Sequence, residues 1–150
     1  MTAVTIRPAT PADVEAIAAL VARSYALYVE RLGRRPRPMD DDHGGHVARG
    51  DQHVLTDDGV IVGCVVLTPH ADHLFVDNLA VEPGRQGAGL GRRLLDFAAD
   101  QARAQGVDEL RLYTNAVMTE NLEIYPRLGW ERTGRETVGV YDRVSFRKRL

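Results

Sequence analysis

The sequence has a single cysteine, Cys64, so no disulfide can form within the chain, and a reducing cytoplasm is the expected setting. It lacks any apolar run approaching the roughly 20 residues needed to span a bilayer, which argues against a membrane helix. Its opening residues, M-T-A-V-T-I-R-P-A-T, lack the basic-then-apolar layout of a secretory leader. Neither charge is in excess: charged residues make up 27% and the net charge is −2, so bulk electrostatics favours neither nucleic acid nor an anionic membrane as partner. Repeats and low-complexity linkers are absent too. A chain of 150 residues suffices for one core, so residues 1–150 are expected to form one domain whose partner must be read from a local site.

The periodicity of what is present places the elements. Ala3 to Arg7 alternates with β-branched residues and stops at Pro8, a first strand. Thr10 has the chemistry of an N-cap, with Pro11 as first helical residue, and Val14, Ile17, Ala18, Val21 and Tyr25 follow at helical spacing until Gly33. The stretch R-R-P-R-P-M-D-D-D-H-G-G-H predicts a loop with a short helix around Asp41 to Arg49. His53 to Thr56, Val60 to Thr68 and Leu74 to Val81 predict three antiparallel strands, the first two joined by a turn at Asp57-Asp58-Gly59. Leu90, Leu94, Phe97, Ala98 and Ala102 define the clearest helix, closing at Gly106. Glu109 to Thr114 alternates as a strand, and Thr119 can cap a helix through Tyr125 to Leu128, shortened or bent by Pro126. Trp130 to Thr133 and Val138 to Phe146 complete the set. The order β-α-α-β-β-β-α-β-α-β-β predicts an α/β fold, a mixed central sheet of about seven strands with about four flanking helices.

The segment V-E-P-G-R-Q-G-A-G-L-G-R-R-L-L-D raises the functional question. Gly87, Gly89 and Gly91 lack Cβ atoms and let a ligand approach the main chain, and the following helix adds unpaired N–H groups and the positive end of a dipole. The place suits an anion such as phosphate. A P-loop requires Lys and Ser/Thr where Leu90 and Gly91 stand, and a dinucleotide fingerprint requires G-x-G-x-x-G with a later acid that the strand ending Tyr113-Thr114-Asn115 does not provide. Gln86-Gly87-Ala88-Gly89-Leu90-Gly91 instead resembles the Q/R-x-x-G-x-G pyrophosphate loop of the GNAT N-acetyltransferase superfamily, placed between a strand ending in V-x-P and a long helix. Downstream, N-L-E-I-Y-P-R-L-G-W resembles the second signature of that family, and the order of elements is similar along the whole chain. One departure stands out: many members have Asn seven residues before the tyrosine, where this sequence has Met118, and Asn121 is the candidate replacement.

The resemblance implies a GNAT-like sheet, acetyl-CoA as donor, coenzyme A as product and a small-molecule primary amine as acceptor. A peptide N-terminus, a protein lysine or a non-catalytic acetyl-CoA-binding module are the alternatives. It implies cofactor contacts from Leu79, Ala80 and Val81, from the loop Gln86, Gly87, Ala88, Gly89, Leu90, Gly91 and Arg92, and from Asn121 and Tyr125. Arg85 and Arg93 are further candidates to face the phosphates. One backbone N–H near Leu79 would polarise the thioester carbonyl. Tyr125 matches the family tyrosine that protonates the departing thiolate, and Asp77, interrupting an apolar strand just before the acetyl position, is the candidate base, its pKa tuned by burial. The implied acceptor pocket draws on Tyr25, Tyr28, Met39, Asp77, the acidic and basic run Arg34 to Asp42, and residues near Tyr141, which leaves both a polyamine-like and an amino-acid-like acceptor open. Cys64 reads as a buried inert thiol. The pairs His43/His46 and His70/His73 read as solvated loop histidines, and no metal is expected. A homodimer rests on the resemblance alone.

Overall fold

Central strands buried on both faces and a buried stripe along the helices build a two-faced sheet in the computed structural model, which describes residues 3–150. The elements run β1 (Val4–Pro8), α1 (Val14–Leu32), α2 (His43–Arg49), β2 (Gln52–Asp57), β3 (Val60–Pro69), β4 (Leu74–Val81), α3 (Leu90–Ala104), β5 (Glu109–Asn115), α4 (Thr119–Arg127), β6 (Glu131–Val138) and β7 (Tyr141–Arg149). The seven strands are ordered β1-β2-β3-β4-β5-β7-β6, and only the β4–β5 pair is parallel.

On one face, Ile17, Leu20 and Val21 of α1 pack fully buried against Val54, Cys64 and Ala80. On the other, Leu90, Leu94, Leu95, Ala98, Ala99 and Ala102 of α3 meet Leu55, Val65, Val76, Leu112 and Phe146. Burying a leucine contributes roughly 1.5–3 kcal/mol, so the α3 stripe is a main anchor. Gly63 of β3 lets that helix come close, since a Cβ there would lie 3.2 Å from Leu94 Cδ1.

The site depends on one irregularity. Val66 pairs with Asn78 and Leu67 with Val76, so Asp77 is an extra residue bulged from β4. The bulge inverts the strand's alternation: Leu74 and Val76 face the α3 core before it, and Leu79 and Val81 do so after it. β4 pairs with β5 only at Leu74↔Leu110 and Phe75↔Arg111. Beyond Phe75 the two strands diverge into a V.

Some boundaries differ from expectation. Thr10 precedes a 3-10 turn, Pro11–Asp13, and its N–H donates to the Asp13 carboxylate at 2.7 Å before α1 begins at Val14. A 3-10 turn over Arg37–Asp40 lies ahead of α2, whose N-cap is Asp42, accepting from the Gly45 N–H at 3.0 Å. Thr119 is the first residue of α4 and Met118 is its N-cap, without a side-chain cap. Pro126 lies next to last in that helix, where it withholds the N–H that would bond Leu122 O, and the helix stays short. β6 runs to Val138, past the expected Thr133, β7 is shifted three residues along the chain to Tyr141–Arg149, and the two turn at Gly139, whose φ of 59° makes the reversal. A lone glycine between two valines is a weak turn signal, and all of β6 is exposed, so it has no apolar alternation to read.

Candidate active site

At the head of α3 the chain exposes its own donors. A 3-10 turn over Pro83–Arg85 leads to Gly87 and Gly89 at φ 88° and 81°, conformations in which a side chain is strained. The Gln86 N–H is turned back onto Pro83 O (3.4 Å) and that of Ala88 onto Arg85 O (3.3 Å), so these two donors face inward. Among the described residues the N–H groups of Gly87, Gly89, Leu90, Gly91 and Arg92 have no protein acceptor. Five donors at the positive end of a fifteen-residue helix suit a diphosphate. Gly91 departs from the expected turn role: it lies in the first turn of α3, with no positive φ, and a Cβ there would meet only Val81 Cγ2 at 3.9 Å. Nothing in the protein requires glycine at that position. Arg85 is committed elsewhere, to the buried Asp57 carboxylate, whereas Arg92 and Arg93 are exposed and have no ion-pair partner among the described residues.

The V between β4 and β5 is bordered by three tyrosines. Tyr25 and Tyr28 of α1 lie 6.2 Å apart, and the Tyr25 hydroxyl donates to Leu79 O (3.2 Å) and Asn78 Oδ1 (3.3 Å). Asn78 is 3% exposed, and its Nδ2 has no partner among the described residues. From α4, the half-buried Tyr125 packs against Trp130 and Phe146 at ring-centroid distances of 5.7 and 5.5 Å. Burial, reinforced by Tyr28, pushes the Tyr125 hydroxyl up to about 12. Burial raises Tyr25 and Tyr28 as well. Glu120 of α4 takes a bidentate pair from Arg31 of α1 (2.7 and 2.9 Å) and a 3.4 Å bond from Tyr28, which joins the two helices; Arg31 holds that carboxyl down to about 2. Asn121 donates to Thr114 Oγ1 (3.1 Å) and lies 3.8 Å from Met118 Sδ, tying α4 to β5. Met39 packs on the α1 core.

Asp77 projects from the bulge into a polar chain. Arg37 Nη2 donates to Asp77 Oδ1 at 2.9 Å, and Arg37 Nη1 lies 3.7 Å from Asp41 Oδ2. Asp41 Oδ2 contacts His46 Nε2 at 2.9 Å, and His46 Nδ1 faces Arg49 Nη2 at 2.8 Å. An arginine can only donate, so Nδ1 accepts and the His46 proton sits on Nε2, pointing at Asp41. His43 and His46 are each 7% exposed on α2, so they are buried helix residues and not the solvated loop pair expected. The short helix itself lies where the sequence places it, capped by Asp42; what the loop-like composition of H-G-G-H hid is that tertiary packing buries its two histidines. His70 is exposed, and its ring stacks on that of His73 at 4.5 Å. Asp41, His46 and Asp77 have metal-ligand chemistry and cluster within 4.8 Å, but the cation between the two carboxylates is Arg37, and His46 Nε2 carries a proton. Sequence reasoning named Asp77 and Arg37 separately; the signal for pairing them, a lone acid in an apolar strand, does not reach across 40 residues.

The sequence pattern of the acetyltransferase (GNAT) domain matches residues 48–132. Mycothiol acetyltransferase of Streptomyces avermitilis is 30% identical over 131 residues, covering 85% of this chain and 42% of its own. The ribosomal protein bS18-alanine N-acetyltransferase of Escherichia coli is 32% identical over 76 residues, 51% of each chain. This chain spans about half or less of the length of the curated relatives it matches. The crystal structure of PaiA N-acetyltransferase from Thermoplasma acidophilum, in complex with coenzyme A, superposes with a TM-score of 0.80 at 19% identity, covering 99% of both chains.

Proposed function

The chain belongs to the GNAT acetyltransferase family, and from that premise we propose that residues 1–150 act as one catalytic domain that transfers an acetyl group from acetyl-CoA to the primary amine of a small molecule. The observation that carries the reading is the set of five unpaired N–H groups at the head of α3, beside the V between β4 and β5. Those donors fit the diphosphate of coenzyme A, the stretch of β4 from Leu79 to Val81, which has no β5 partner, fits its amide-bearing arm, and Gly91 leaves open the surface over which it would lie. Acetyl-CoA supplies the acetyl group as an activated thioester.

The residues of the chain do the rest. Asp77 receives the proton of the attacking amine, directly or through one water, because only the neutral amine carries the nucleophilic lone pair. Tyr125 Oη keeps its proton through the neutral range, since burial holds it near about 12, and is the donor for the sulfur as the C–S bond breaks. One proton leaves nitrogen, one reaches sulfur, and the two residues are reset through solvent. A small acceptor is supported by two contacts that narrow the acceptor side: Arg31–Glu120, and the Tyr141 hydroxyl on Arg35 O at 3.5 Å.

Thermal unfolding with acetyl-CoA, CoA, NAD and ATP, each alone, tests the reading. A ligand at about 100 times its Kd adds ~2.7 kcal/mol, several degrees at this size. Shifts with acetyl-CoA and CoA and none with NAD are expected; no shift with either form of CoA sinks the proposal. Binding without acetylation of any amine would leave a non-catalytic module.

A further inference from the structure

The acids that a polyamine would need are already spent. Asp40 pairs with Arg35 at 2.8 Å, Asp41 with His46 at 2.9 Å, and Asp42 caps α2. Glu120 is held by Arg31. What remains facing the acceptor side is a mixed pair: the Asp77 carboxylate, whose Oδ2 lies 3.9 Å from His46 Nε2 and has no hydrogen bond among the described residues, and the Arg37 guanidinium, 41% exposed. Tyr113 of β5 lies next to Arg37, and Arg143 stands 4.1 Å over the Tyr113 ring, so the wall beside this pair is aromatic and cationic.

We infer that the acceptor is an amine that also carries a carboxylate, its ammonium placed on Asp77 and its carboxylate on Arg37. This rests on the acetyltransferase reading of the same site and deepens it. In the free protein Arg37 and Asp77 satisfy each other. A zwitterion replaces that contact with two of the same kind, so neither charge of the pair is left without a partner, whereas a diamine offers Arg37 only repulsion. Asp41, 3.7 Å from Arg37 Nη1 and itself anchored by His46 and Arg49, keeps the guanidinium at the site while it turns from Asp77 to the acceptor. The acceptor carboxylate also draws Arg37 away from Asp77 Oδ1, which leaves both Asp77 oxygens to the amine.

The test compares a panel of amino acids, each paired with its own amide and its decarboxylated amine, together with 1,4-diaminobutane. Turnover is read as CoA released and product mass. The amide carries the less protonated amine of each pair, so a preference for the acid can come only from the site. For the best acceptor, kcat/KM should favour the acid over the amide by about 10- to 100-fold, the worth of a charged hydrogen bond. Arg37→Gln and Arg37→Lys should collapse that ratio, with calorimetric affinity for CoA as the folding control. Preference for amides or the diamine, or a ratio that both variants preserve, overturns the inference. Should acetyl-CoA bind without turnover, calorimetric titration of the same acids and amides into the CoA-loaded protein decides it: binding of acids alone supports it, and binding of none refutes it. Should CoA itself fail to bind, the acetyltransferase reading is what fails, and the same titration into the free protein still reads the Arg37–Asp77 pair.

Discussion

Tyr125 is the proton donor of the proposed transfer. A phenol held at about 12 stays protonated near neutrality, so it has a proton to give to the departing sulfur. Tyr125→Phe is expected to lower kcat roughly 10²-fold while KM for acetyl-CoA changes little, which steady-state kinetics would check. The same shift has a consequence for stability. The folded state holds these protons more tightly than the unfolded chain, whose tyrosines ionise near ~10. The contribution is therefore complete below that pH and is lost as pH rises through about 12. Tyrosinate absorbance of the Tyr25 and Tyr125 class should appear together with loss of circular dichroism; ionisation at the ordinary value in the folded protein would contradict it. His43 works at the other end of the scale. It is 7% exposed, both ring nitrogens are unpartnered among the described residues, and burial lowers its pKa. A lowered value favours the neutral form in the folded state, so stability should fall as pH drops below ~6.5, the ordinary value. Chemical denaturation across that range should show a slope that His43→Leu flattens.

The glycine loop and α3 form the element on which the cofactor reading stands, and their glycines separate folding from binding. Gly89 sits at φ 81°, so Gly89→Ala forces a left-handed conformation and should cost about 1–2 kcal/mol of stability. Gly91 is helical with open space around it, so Gly91→Ala should leave stability unchanged or raise it by up to ~1 kcal/mol, while the added methyl weakens CoA binding. Denaturant midpoints and calorimetry on the two variants check this; a Gly91→Ala protein that binds CoA normally would remove the loop from the site. At this scale the sequence was informative. The stripe Leu90, Leu94, Ala98, Ala102 announces α3, β4 follows its alternation up to the bulge, and the near-continuous apolar run of β3 marks a strand buried on both faces. The reading erred where local signals are thin: the Gly139 turn, the Met118 cap of α4, and the burial of the two histidines of α2.

For the molecule as a whole, the decisive feature is the pairing of β4 with β5 at only two positions. The sheet is continuous at its base and open above, and helices from its two faces, α1 and α4, meet across the opening through Arg31 and Glu120. CoA binding should slow amide exchange at Gly87, from Gly89 to Arg92, and in β4 beyond Asp77, and leave exposed β6 unchanged; protection confined to another region would place the ligand elsewhere. The sequence by itself determined the element order, the α3 stripe and the presence of a glycine loop with spare donors. Each of these depends on neighbours within a few turns of chain, where backbone sterics and periodic burial act. Tertiary structure decided which charges are free. Asp77 meets Arg37 across 40 residues, and Arg31 meets Glu120 across 89. Such pairings follow from packing, and a single bulged residue in β4 inverts every side chain after it, so no local pattern could specify them.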